Sequence, residues 1–173
     1  NIKENNLKTY NEVNLWVARN KLKWLKHHIA LDNELPKKHA GVGLARKLIM
    51  DEALKRYVKL NYNGPIVCFD ADCKVSKNYF TEIKNSFIRE EWEVATLHYE
   101  HIWDDTISQK QIDGIIQYEL YLRYYIQALK QIDYPYAYHT IGSSMAVKAS
   151  TYALCGGMNK RKAGEDFYFL QQI

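Results

Sequence analysis

A short apolar run, Ile66-Val67-Cys68-Phe69, stands between a turn signal, Asn63-Gly64-Pro65, and an acidic triplet, Asp70-Ala71-Asp72. Four consecutive apolar residues bounded by turn formers predict a buried strand. A buried strand must be covered by other layers, so it sets the kind of fold the rest of the chain has to supply. The flanking sequence supplies mainly helical patterns. Residues 6–19 and 44–60 show apolar positions near helical spacing, and Ser76 is placed to cap a helix running to about residue 89 with Phe80, Ile83 and Phe87 on one face. Residues 108–132 form a long helical pattern in which Ile112, Ile115, Leu122, Ile126 and Leu129 point one way, interrupted by Glu119 and Arg123, which can pair at i,i+4.

Further strands are expected at 24–31, 92–99 and 143–147, the last followed by a helix to about residue 154, and a final helix starts near Gly164. Such alternation implies an α/β fold with a largely parallel sheet flanked by helices, in a single domain spanning 1–173. In sheets of that kind ligands sit at the carboxyl ends of the strands. The acidic triplet occupies one such end.

Composition narrows the function. Of 173 residues, 47% are apolar and 25% charged, the mix of a globular protein. The net charge of +4 is scattered and without a basic block, which argues against a dedicated nucleic-acid binder and suits an enzyme handling phosphates. The three cysteines form no CxxC pair and no even set, which favours a reducing, cytoplasmic setting. Nothing approaches the roughly 20 apolar residues of a membrane span, and no signal peptide opens the chain.

The carboxylates of Asp70 and Asp72, one residue apart in extended chain at a strand end, point the same way and form a hard oxygen site suited to Mg²⁺ or Mn²⁺. Two carboxylates leave coordination positions open for phosphate oxygens, as the stabilisation of a departing diphosphate requires. An ordinary turn also favours aspartate, so the pair gains meaning only from its company. That company is Gly41-Val42-Gly43-Leu44-Ala45-Arg46 upstream, and downstream Gly156-Gly157-Met158 followed by Gly164-Glu165-Asp166. Arg46 has the donor fork that fits phosphate, and equally that of a salt-bridge partner.

GxGxAR, DAD and GG…GED in this order resemble the family-2 glycosyltransferases of the GT-A fold, over the stretch from Gly41 to the C-terminus. The resemblance implies a metal-dependent, inverting transfer of sugar from a nucleotide-sugar donor to a glycan or lipid-linked acceptor. The resemblance further implies cell-surface polysaccharide synthesis, in the cytoplasm at the inner face of a membrane. It implies Asp72 as direct metal ligand and Asp70 as a contact to metal or ribose. Arg46 falls beside the donor nucleotide, and Gly156 and Gly157 beside the sugar. Asp166, in its pair with Glu165, matches the catalytic base.

Departures exist. Lys47 stands where many relatives carry Asn, and nothing before Gly41 resembles the family's opening nucleotide-binding half, so the chain reads as a partial domain. His139, ahead of the strand at 143–147, is a candidate on the acceptor side. The tyrosines between Tyr118 and Tyr138 can stack on sugar rings, or serve packing. Two other functions fit parts of the pattern. A non-catalytic nucleotide-sugar-binding scaffold would need Asp70 and Asp72 without a base at Asp166. A phosphatase of the haloacid dehalogenase type also places DxD after a strand, but prefers a small β-branched residue where Lys74 stands.

Overall fold

A computed structural model describes residues 2–30 and 35–173. It divides into two compact units, Asn1–Ala40 and Gly41–Ile173. The first contains helix α1 (Ile2–Asn20), none of whose residues is buried. His27 reaches back to the Asn14 side chain at 2.9 Å. Residues 24–30 form no strand, contrary to the sequence reading, and Leu31 lies outside the described residues.

The second unit runs α2 (Val42–Lys59), β1 (Pro65–Cys68), α3 (Tyr79–Lys84), β2 (Val94–Thr96), α4 (Gln109–Gln131), β3 (Met145–Lys148), α5 (Ala149–Leu154) and α6 (Glu165–Leu170). α3 continues as a π-helical turn, Asn85–Arg89. Among the described residues the sheet has three strands in the order β1-β3-β2, and both pairings are antiparallel. This corrects the expectation of a mostly parallel, GT-A-like sheet.

The reason lies in how the chain returns. β1 and β2 do run the same way, as two strands joined through a helix should. β2, however, leaves the sheet at Thr96 and α4 carries the chain out and back to that same end. β3 therefore enters beside Thr96 and Cys68, both of which face Met145, and descends between its predecessors in the opposite sense. Alternation of elements does not encode the end at which the chain returns, so the parallel expectation fails at both pairings.

Period-2 alternation along the strands sorts the core into two faces. Ile66, Cys68, Met145 and Val147 join Met50, Tyr152, Met158, Phe169 and Leu170 on the face covered by α2, α5 and α6. Ala146 meets Ile83 and Phe87 on the other, with Val67 and Tyr79 alongside. The helix after β1 begins at Tyr79 with Asn78 at its N-cap, so Ser76 does not cap it, and Phe80 is exposed instead of sharing the face of Ile83 and Phe87. The inward row is Tyr79, Ile83 and Phe87, set four residues apart. On α4 the expected stripe holds: Ile126 is buried and Ile112, Ile115, Leu122 and Leu129 are half-buried. Among the described residues no helix is long and apolar enough to cross a membrane.

Candidate functional site

Arg46 is the point at which the separated motifs meet. It projects from the first turns of α2, its side chain 11% exposed, and its guanidinium donates through Nη1 to Glu165 Oε1 and through Nη2 to Asp70 Oδ1 at 3.2 Å. Glu165, at the start of α6, is 4% exposed. Burying a carboxylate at that depth is unfavourable unless a cation pairs with it, and Arg46 is that cation. Asp70 is different: its side chain is 52% exposed, so its end of the fork is open to water and replaceable.

Close backbone approach makes this geometry possible at two glycines. A Cβ on Gly43 would stand 2.1 Å from the Arg161 carbonyl oxygen and 3.0 Å from Glu165 Cβ, so α2 lies directly against the segment leading into α6. A Cβ on Gly142 would stand 2.3 Å from Arg46 Nη1. Gly142 was not singled out in the sequence. An isolated glycine carries no spacing signal, and only the fold reveals that it leaves room for the guanidinium.

The acidic triplet is not extended. The N–H of Cys73 donates to the Asp70 carbonyl at 3.1 Å, which closes a turn over residues 70–73. Asp72 is exposed, and among the described residues its side chain takes only a weak hydrogen bond, from Cys73 Sγ at 3.9 Å, which leaves its oxygens accessible to a ligand. The expected alignment of the two carboxylates by strand periodicity therefore does not apply. Any convergence at an ion would come from the turn. Among the described residues no three His, Cys, Asp or Glu side chains gather as a metal cage. Asp166 Oδ1 accepts the N–H of Phe167 at 2.8 Å, and its second oxygen has no hydrogen-bond partner among the described residues.

Gly156 and Gly157, both with positive φ (81° and 76°), turn the chain after α5. Gly157 packs on Tyr152, whose hydroxyl donates to Asp51 Oδ1 at 2.6 Å and accepts the N–H of Met158 at 3.1 Å. Lys47 pairs with the same Asp51 at 3.1 Å. Burial and the Asp51 hydrogen bond push the Tyr152 phenol up, so it stays a neutral donor. This network fixes the diglycine loop to α2 beside Arg46.

Beneath Asp70, Cys68 ends β1 in the core. Burial pushes its thiol up to about 12, with Asp70 and Glu165 adding to the effect and Arg46 opposing it. It is a packing residue, not a nucleophile.

At the same end of the sheet, the loop after β2 is tied to α4. Glu119 accepts the backbone N–H of His101 at 2.6 Å, the His101 ring at 2.8 Å and Arg123 at 3.0 Å, and Arg123 also donates to the Tyr99 carbonyl at 2.8 Å. The interruption of the α4 stripe is thus an ion-paired anchor. These bonds, led by the His101 backbone N–H, hold the Glu119 carboxyl down at about 2 against partial burial. A lowered folded value stabilises the fold above the ordinary value of 4.5, and the effect is lost as pH falls from there towards 2. The stability advantage of wild type over Glu119→Gln should therefore shrink across that window in denaturant titrations. A difference that is flat with pH would show that Glu119 is not held as described.

Comparison of the chain with protein-family models, curated proteins and solved structures found no match. What the site does must be argued from its own chemistry.

Proposed function

We propose that this chain carries the donor-handling and proton-accepting groups of a metal-dependent, inverting sugar transfer from a nucleotide-diphosphate sugar to an acceptor hydroxyl. One observation carries the proposal: Arg46 joins residues from the GxGxAR, DAD and GED segments on a single guanidinium. Segments this distant in sequence have no local reason to converge. Their convergence favours one site over three unrelated turns.

The groups suit the chemistry. The exposed carboxylates of Asp72 and Asp70 are hard donors of the kind Mg²⁺ or Mn²⁺ prefers, and two carboxylates leave room for water and phosphate oxygens. Such an ion would supply charge neutralisation to a departing diphosphate. Arg46 is held by Glu165 and can turn its other edge from Asp70 to a phosphate, a bidentate donor suited to that anion. When the acceptor oxygen bonds to the anomeric carbon, the bond from that carbon to the diphosphate breaks. The acceptor proton passes to the free oxygen of Asp166, and the nucleoside diphosphate leaves with the electron pair. Glu165, with its carboxylate engaged by Arg46, acts as a positioning residue and is not the base. A cytoplasmic setting and a lipid-linked or glycan acceptor belong to the same proposal.

The test is thermal unfolding against a panel of nucleotides and nucleotide sugars, with and without Mn²⁺. Ligand binding to the folded state adds about 2.7 kcal/mol at a hundred times Kd. A metal-dependent rise in Tm with one nucleotide, lost in Asp72→Ala and in excess chelator, is the expected result. A rise that is indifferent to both would remove Asp72 and the metal from the proposal.

A further inference from the structure

The end of β2, one flank of α4 and the loop before β3 enclose a pocket of about 250 Å³. Its polar lining comes from Thr96, Arg123, Gln127, Lys130 and His139, over a floor that includes the buried Ile126. Among the described residues no acidic side chain lines it. Arg123 is already fixed by Glu119 and the Tyr99 carbonyl, so its positive charge is pre-positioned at no further cost in side-chain order. The Lys130 ammonium and the Gln127 amide have no hydrogen-bond or ion-pair partner among the described residues. His139 packs edge-on against the Tyr99 ring at 5.3 Å, and burial together with Arg123, Lys130 and His98 holds its imidazole below the ordinary value. Arg123 shares its charge with Glu119, so Lys130 is the lining cation that no acid among the described residues already engages.

We propose that this pocket binds a compact oxyanion, a phosphate or carboxylate group, through Arg123, Lys130 and the His139 N–H. Its volume is below the roughly 300–1,000 Å³ of pockets that enclose a whole drug-sized ligand, so it suits one charged group of a larger molecule. Thr96 and Cys68 both face Met145, which puts this pocket at the same sheet end as the Asp70 turn. Reading the anion as part of the acceptor rests on the transferase proposal above. The pocket itself does not.

The experiment titrates the full chain with inorganic phosphate and, separately, with glucuronate, following His139 ring resonances by NMR and heat by calorimetry. Saturable binding of either anion that moves His139 supports the pocket and names the group it prefers. Lys130→Glu should weaken that binding about ten-fold or more, a difference of about 1.4 kcal/mol per decade. Lys77→Glu makes the same change in net charge at an exposed lysine elsewhere and should alter it less than about two-fold. Equal weakening by both variants, or no saturation by either anion, would overturn the proposal. Asp72→Ala should leave anion binding intact, so loss of donor binding in that variant bears on the transferase reading alone.

Discussion

Replacing Arg46 with alanine is expected to destabilise the protein by about 3–5 kcal/mol, the usual result of removing one partner of a buried ion pair. Glu165 would remain in a site where it is 4% exposed, with no other cation bonded to it among the described residues. The loss should be asymmetric. Glu165→Gln keeps an oxygen for Nη1 and removes the charge that is hard to bury, while Arg46 retains the exposed Asp70. That variant should lose less than Arg46→Ala, and the double substitution should recover part of the larger loss, since the sites are in contact and do not add. Denaturant unfolding of the four proteins gives the coupling directly. An Arg46→Ala loss within about 1 kcal/mol of wild type would mean the pair is not structural. Arg46→Lys is a useful companion, because it keeps the charge but cannot bridge two carboxylates with one planar fork.

The second large effect concerns turnover. Asp166→Asn should lower transfer by about 10²–10⁴-fold while the nucleotide-dependent rise in Tm stays as in wild type. The substitution is nearly isosteric, and the asparagine oxygen still accepts the Phe167 N–H, so α6 keeps its first turn. What it removes is the capacity to take a proton. A fall in turnover with donor binding intact separates a base from a donor ligand. Undiminished turnover would move the base elsewhere, and simultaneous loss of donor binding would return Asp166 to a structural role. A non-catalytic scaffold would show donor binding without transfer in either protein.

Much of the local structure was legible because it rests on local physics. Helical spacing marked α2 and α4, the apolar run with its turn marked β1, and Glu119 with Arg123 paired as their spacing allows. The misses are tertiary. The residues at 24–31 have apolar content but, over 24–30, no strand to pair with, and a strand exists only through its neighbour. Ser76 has the chemistry of a cap, yet the helix starts three residues later, where Asn78 precedes Tyr79. Sheet direction depends on the end from which the chain returns after α4, and no periodicity encodes that.

The candidate site was half visible. Its residue types and order could be read, and Arg46 was open to either a phosphate or an acidic partner. That it holds two acids, one buried and one exposed, needed the fold, as did Gly142. The turn over residues 70–73 likewise replaces the extended geometry expected after a strand.

The strand order also has a consequence in time. β3 is the middle strand but the last of the three in the chain, so β1 and β2 have no hydrogen-bonding partner in the sheet until residues 145–148 have been synthesised. Until then the ribosome displays Ile66, Val67, Val94 and Ala95 on two strands that cannot pair with each other across the gap. Closing it joins segments separated by α4 and its flanking loops, a non-local step that slows folding and lengthens exposure of unpaired edges. In a cell, the burden of keeping this protein from aggregating would fall within that interval, before the arrival of Met145-Ala146-Val147 turns two loose strands into a sheet.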